Sequence, residues 1–217
     1  MVFITRHAAM RKLRRKYYDL FSKFYDRFIA MHATDKQGLL RDILAEQSAA
    51  RPGDVVLDIC SGTGATLGPL SGRVGEAGLV VGLDFSSGML KAARNKTRGR
   101  ATICLVQADC SRLPFKDDLF AAVTCSHAFY ELKGKTQLDA LAEIKRCLRP
   151  EKPFLMMEHE VPRNRFVRVL FYIRLMSMGR KRALQILKHE MAFLQRHFQH
   201  VKKASSVTGK SKIYICS

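Results

Sequence analysis

The order of apolar runs restricts this chain more than any other feature. Five short, β-branched stretches, Val55 to Ile59, Leu79 to Leu83, Ala101 to Val106, Phe120 to Cys125 and Phe154 to Met157, each have strand length and are bounded by Gly, Pro or Asp. Helical patterns separate them. Ser86 to Lys96 opens on serine caps, and Thr136 to Leu148 places Leu138, Leu141, Ile144 and Leu148 on one face before Arg149 and Pro150 end it. Strand and helix in strict alternation predict a parallel sheet with right-handed crossovers. Upstream, Arg11 to Ile29 and Asp35 to Gln47 read as helices, the first carrying Tyr17, Leu20, Phe21, Phe24, Tyr25 and Phe28. Beyond Pro162 the pattern becomes a long basic helical stretch. Val201 to Val207 and Lys212 to Cys216, parted by Thr208 and Gly209, then read as a terminal antiparallel hairpin. One core accommodates all of this, since a single domain commonly takes roughly 100 to 250 residues. The expected division is an N-terminal helical cap (1–50), a ligand-binding core (51–160), a basic helical insertion (161–198) and the hairpin (199–217).

Polar residues gather at the carboxyl ends of the expected strands, where open α/β sheets bind ligands. The first strand runs into Asp58-Ile59-Cys60-Ser61-Gly62-Thr63-Gly64, whose glycines permit positive φ and a close approach of backbone to ligand. A phosphate-binding loop of the Gly-Lys-Ser/Thr type is excluded because no such triplet follows, and the dinucleotide fingerprint is imperfect because Leu67 stands at its third glycine. The second strand ends in Asp84, a carboxylate placed to accept both hydroxyls of a ribose. The third is followed by Asp109-Cys110, and Asp109 suits the exocyclic amine of an adenine. An adenosine-containing ligand is therefore expected.

Asp58 to Gly64, Val80 to Ser86 with Met89-Leu90, and Ala108-Asp109 followed by Leu113-Pro114-Phe115 and Phe120 to Val123 resemble the successive motifs of class I S-adenosylmethionine-dependent methyltransferases, over roughly residues 50 to 160. Within that superfamily the chain is similar to the ubiquinone/menaquinone biosynthesis C-methyltransferases, which share the Leu-Pro-Phe turn and an upstream Phe-x-x-x-Tyr-Asp element, here Phe21 to Asp26. The resemblance implies an α/β, Rossmann-like fold: a seven-stranded, mainly parallel sheet with the C-terminal antiparallel hairpin and helices on both faces. It implies S-adenosyl-L-methionine as cofactor. Asp58, Ser61, Gly62 and Gly64 would then meet the methionine part, Asp84 the ribose, and Asp109 the adenine amine with Cys110 beside the ring. Tyr17 and Tyr25 would close over the cofactor. One departure concerns the acceptor. The quinone enzymes carry a glycine-, arginine- and asparagine-containing stretch after the fourth strand, where this chain has Ser126-His127-Ala128-Phe129-Tyr130-Glu131.

Methyl transfer is an in-line displacement at an activated carbon, so the protein supplies alignment and, for an acceptor carrying a proton, a base. Candidates for that chemistry are His127 and Tyr130 after the fourth strand and Glu158 and His159 at the end of the fifth; of Glu158 and Glu160, at most one is expected to face the pocket. No ligand cluster suggests a metal. The six cysteines lack a Cys-x-x-Cys pair, which argues for a reducing cytoplasm rather than a disulfide framework or zinc site. The longest strongly apolar, uncharged run, Val169 to Ile173, falls far short of the roughly 18 residues that span a bilayer.

Charge indicates the partners. The net charge of +19 is uneven: residues 1–30 hold eight bases and two acids, residues 161–217 thirteen bases and one acid, and the middle is almost neutral. From Arg163 to Arg182 seven bases are interleaved with large apolar residues. This pattern suits a cytoplasmic protein peripheral to an anionic membrane, acting on a small hydrophobic, quinone-like acceptor. N-methylation of a phospholipid head group and an RNA-directed activity are the alternatives, nucleic acid being the less favoured partner because no Asn/Asp-Pro-Pro-Tyr/Phe motif is present.

Overall fold

The computed structural model describes residues 14–22, 24–25, 38–132, 134–160, 165, 169, 190–205 and 211–217. The helical residues 14–22 and 24–25 are together labelled α1, and Leu39–Gln47 form α2. There follow β1 (Val55–Ile59), α3 (Leu67–Val74), β2 (Leu79–Asp84), α4 (Ser87–Lys96), β3 (Ile103–Gln107), β4 (Ala122–Ser126), a 3-10 turn (Phe129–Glu131), α5 (Lys135–Cys147) and β5 (Phe154–His159). The chain closes with α6 (Glu190–Gln195), β6 (Val201–Ser205) and β7 (Ser211–Cys216).

The seven strands lie in the order β3-β2-β1-β4-β5-β7-β6. β1 to β5 are parallel, and β7 runs antiparallel to both β5 and β6. The order reverses between β1 and β4, which opens a crevice at their carboxyl ends. Both faces of the sheet are buried, as parallel strands require. Leu57, Ile59, Val123, Phe154 and Met156 pack with Leu141 and Ile144 of α5 and Leu194 of α6 on one face. On the other, Val56, Val80 and Ala122 pack with Leu67, Leu70 and Val74 of α3, while Leu155, Met157 and Ile213 pack with Leu40 and Leu44 of α2. The two-residue period of the strands thus decides which helix each side chain meets.

Several boundaries differ from those the sequence predicts. β3 starts at Ile103 rather than Ala101, and β4 at Ala122 rather than Phe120, which makes only an isolated bridge to Leu148. α2 begins at Leu39, because Gly38 in a left-handed conformation (φ 72°) ends the run of helical backbone there. In α5 the buried residues are Ala140, Leu141, Ile144 and Cys147, and Leu138 is 46% exposed. At about 100° per residue Leu138 lies roughly 130° from the centre of that face. The ends of the first predicted helix, the hairpin turn at Thr208 and Gly209, and the Arg163 to Arg182 stretch apart from residues 165 and 169 lie outside the described residues.

Candidate active site

The crevice at the reversal point widens into a cavity of about 780 Å³, lined from the ends of β1, β2, β3, β4 and β5 and covered by α1. Asp58, at the end of β1, is 1% exposed and accepts a hydrogen bond from the Thr124 hydroxyl at 2.6 Å. Burial pushes its pKa up to about 7; the Thr124 bond opposes this, nearby Asp84 adds to it, and Arg41 opposes it. The backbone then turns through Gly62 (φ 54°), whose N–H donates to Asp84 Oδ2 at 2.9 Å. Asp84 Oδ1 accepts from the Ser86 N–H at 2.9 Å, so one carboxylate ties the glycine loop to the start of α4. Burial also raises Asp84, to about 6, against the pull of those backbone donors.

The residues fit an adenosine-bearing cation. Ser61 lines the cavity, and its buried Oγ has no hydrogen-bond partner among the described residues. A Cβ built on Gly62 would meet nothing within 4 Å, so the loop leaves open space above it. Asp109 lines the same wall and accepts from the Ser111 N–H (2.9 Å) and hydroxyl (2.7 Å), while Cys110 beside it is buried. The Cys110 thiol hydrogen-bonds that of Cys60, which together with burial raises its pKa and leaves a neutral, polarisable surface at physiological pH. Gly64 does not reach the cavity. At φ 77° its missing side chain leaves room for α4, since a Cβ there would lie 3.0 Å from that of Ala93.

At the far end, His127 and His159 stack with ring centroids 4.4 Å apart and 19° between their planes. His127 adopts φ 53° as the chain leaves β4. Its Nε2 lies 3.4 Å from Ser211 Oγ, and its buried Nδ1 has no hydrogen-bond partner among the described residues. Burial first, then His159 and Arg41, hold its pKa well below the usual imidazole range, so His127 is neutral at physiological pH. Tyr130, Glu131 and Arg41 line this end as well. Glu158 does not: alternation along β5 sends His159 to the α2 side and Glu158 to the opposite face, where it is fully buried and accepts from the Tyr130 N–H. Glu160 is likewise absent from the lining and pairs with Lys203.

Glu158 makes a testable case. Burial raises its pKa well above the usual carboxyl range, and Glu190 adds to this. A carboxyl that keeps its proton in the folded state and loses it on unfolding costs stability as pH rises above its unfolded value. Glu158→Gln is therefore expected to raise Tm by a few degrees near pH 8 and to leave it almost unchanged near about pH 4, read by calorimetry. A loss of stability at both pH values would show that the charged form is the one the fold holds.

α1 closes the cavity with Tyr17, Tyr18, Phe21 and Tyr25. It is pinned at two points. Asp19 Oδ1 accepts from the Ser86 hydroxyl (2.6 Å) and the Gly88 N–H (2.9 Å), which caps α4 from another helix. Gly88 has no room for a side chain, because a Cβ would sit 2.8 Å from the Asp19 Cα. Glu131 accepts from Arg14 at 2.8 Å and from the Tyr18 hydroxyl. Sequence reasoning did not single out Arg14, Tyr18, Asp19, Arg41 or Thr124. The short Ser86-Ser87-Gly88 run was the one local sign that another element docks there.

The raised carboxylates give cofactor binding a pH dependence. S-adenosylmethionine carries a sulfonium charge, so the complex favours ionised Asp58 and binding releases a proton when the free group is protonated. Affinity is expected to rise with pH and level off above about pH 7. In Asp58→Asn it should be weaker and its pH dependence confined to the Asp84 range near about pH 6, measured by titration calorimetry across pH. A wild-type affinity that is constant with pH would show that Asp58 is already ionised in the free protein.

Comparison with known proteins agrees with this geometry. Residues 56–151 match the methyltransferase domain family. The chain is 30% identical over 154 residues to a 2-phytyl-1,4-naphtoquinone methyltransferase of Nostoc sp., an alignment covering 69% of this chain and 66% of that protein. It is 33% identical over 141 residues to a demethylmenaquinone methyltransferase of Staphylococcus aureus, covering 65% of this chain and 58% of the relative. The chain thus spans less than two thirds of the length of these relatives. A crystal structure of a SAM-dependent methyltransferase from Aquifex aeolicus shares the fold, with a TM-score of 0.65 at 18% identity over 91% of this chain and 97% of the other. Residues 56–151 thus carry the pattern of a methyltransferase domain, and the motifs, the reversal-point cavity and these likenesses together make the chain similar to the class I S-adenosylmethionine-dependent methyltransferases.

Proposed function

We propose that this protein methylates a ring carbon of a small lipophilic acceptor of the quinone class, in its reduced, hydroxyl-bearing form. The carrying observation is the composition of the cavity's far end: a stacked histidine pair, of which His127 is held neutral, within a wall of Tyr25, Tyr130 and Phe21. The names of two relatives, both naphthoquinone-type methyltransferases, point the same way. When bound, S-adenosylmethionine would supply a sulfonium-activated methyl group that a nucleophilic ring carbon takes, the sulfur leaving as the neutral thioether of S-adenosylhomocysteine and the ring carbon then giving up its proton. The protein's part is to make that carbon nucleophilic and to hold it in line. His127, neutral and lining the cavity, can accept the acceptor's hydroxyl proton, which places the electron pair of the oxygen at the service of the ring. Tyr130 and His159 flank the ring, and Asp58, Ser61, Asp84 and Asp109 line the cofactor end.

The test is transfer of radiolabelled methyl from S-adenosylmethionine to a panel: a reduced short-chain demethylnaphthoquinone, its oxidised form, phosphatidylethanolamine vesicles and RNA. Label appearing on a ring carbon of the reduced form only supports the proposal. Label on the amine of the phospholipid or on RNA overturns it in favour of those acceptors.

A further inference from the structure

The outer face of α1 is built like a membrane contact. Tyr17, Leu20 and Phe24, spaced along one side of the helix, are 57%, 64% and 62% exposed. Lys16, flanking that side, is exposed, and so is Arg15 further round the helix. The one acid among the described residues of this segment, Asp19, is turned inward to Ser86 and Gly88, and of the two exposed bases it is Arg15 that acts on it electrostatically. Arg11 and Lys12 precede it in the sequence. Its inner face, through Tyr18, Phe21 and Tyr25, is the cover of the cavity, and Tyr17 borders both.

We propose that this face docks on the surface of an anionic phospholipid bilayer, with Leu20 and Phe24 entering the acyl boundary and Arg15 and Lys16 meeting lipid phosphates. Basic residues alone would suit many anions. Large apolar side chains held in water between them suit a surface that offers hydrocarbon directly beneath its charge, which a nucleic acid does not. Among the described residues no helix is long and apolar enough to cross a membrane, so the contact is a surface one. Docked this way, the cavity cover lies against the bilayer, and a lipophilic molecule can pass from lipid to cavity past α1 without crossing water. The docking itself does not depend on the acceptor proposed above.

The experiment is co-flotation of the full chain with vesicles of phosphatidylcholine alone or with about 30 mol% phosphatidylglycerol. Wild type is expected to partition at least about tenfold more strongly onto the anionic vesicles, less so as salt rises. Leu20→Ser with Phe24→Ser should lower that partitioning about tenfold or more, while Arg15→Glu with Lys16→Glu should abolish the preference for phosphatidylglycerol. Neither pair lines the cavity, so S-adenosylmethionine affinity in both should match wild type, which also shows that they fold. Partitioning unchanged in both variants overturns the proposal. So does a concentration-dependent dimer in wild type that Leu20→Ser with Phe24→Ser dissociates, since a second copy would then cover the face. Loss of activity on a dissolved acceptor with vesicle binding intact would count against the proposed reaction alone.

Discussion

Asp84→Ala is expected to weaken S-adenosylmethionine binding about 100-fold or more, the largest single effect on the cofactor that the site supports. A carboxylate can accept about four hydrogen bonds. Two are spent on the Gly62 and Ser86 amides, each at 2.9 Å, and the remaining capacity lies at the cavity wall where the resemblance puts a ribose. Charge-assisted bonds to two hydroxyls are worth about 1.5 to 3 kcal/mol each, and about 1.4 kcal/mol is tenfold in affinity. Alanine removes both and also frees the Gly62 amide, so the glycine loop loses its tie to β2. Because the ribose is common to both molecules, S-adenosylhomocysteine should lose affinity by the same factor. A smaller loss for S-adenosylhomocysteine than for S-adenosylmethionine would show that Asp84 acts on the sulfonium charge instead, and unchanged affinity for both would place the ribose elsewhere. Because alanine orphans the Gly62 and Ser86 amides, some loss of Tm is expected, and Asp84→Asn, which keeps an acceptor oxygen for them, serves as the control for folding.

What the sequence made legible was what depends on neighbours in the chain. Asp58, Ser61, Gly62, Asp84 and Asp109 were readable because each follows an apolar run by a fixed few residues, and the end of a parallel strand is where such a sheet presents side chains. His127 and His159 followed by the same reasoning, but their stacking did not, since it depends on β4 and β5 being adjacent. Glu158 and His159 differ by one residue and by one face of the sheet, and only the alignment of β5 against its neighbours settles which enters the cavity. Ser211 sits beside His127 because β7 inserts antiparallel next to β5, placing Ser211 opposite His159. The hairpin was visible in the sequence; its place in the strand order was not. The cover over the site was least legible. Asp19 meets Gly88 across 69 residues and Arg14 meets Glu131 across 117, and no local pattern encodes a cap supplied by a distant helix.

His127→Asn is expected to lower kcat for the proposed acceptor by about 100-fold or more while leaving S-adenosylmethionine affinity within about twofold of wild type. Asparagine is the informative replacement. Position 127 adopts φ 53°, a conformation that asparagine tolerates better than most residues, so the backbone leaving β4 is kept while the proton acceptor is lost. The low pKa of the imidazole sets a second readout. With burial, His159 and Arg41 all disfavouring the cation, His127 remains neutral down through the ordinary histidine range. With S-adenosylmethionine saturating at every pH, so that the ionisations of Asp58 and Asp84 do not enter, the wild-type kcat/KM for the acceptor should therefore stay flat from about pH 8 to below about pH 6.5. A fall centred on the ordinary imidazole value would assign the base to a histidine less strongly shifted than His127. If His127→Asn raises KM but leaves kcat unchanged, the imidazole only positions the ring, and the acceptor then needs no base from this side chain. The stacked pair allows one more distinction: His159→Asn should cost less in kcat than His127→Asn if His127 takes the proton and His159 serves to keep it neutral. The reverse order would exchange their roles.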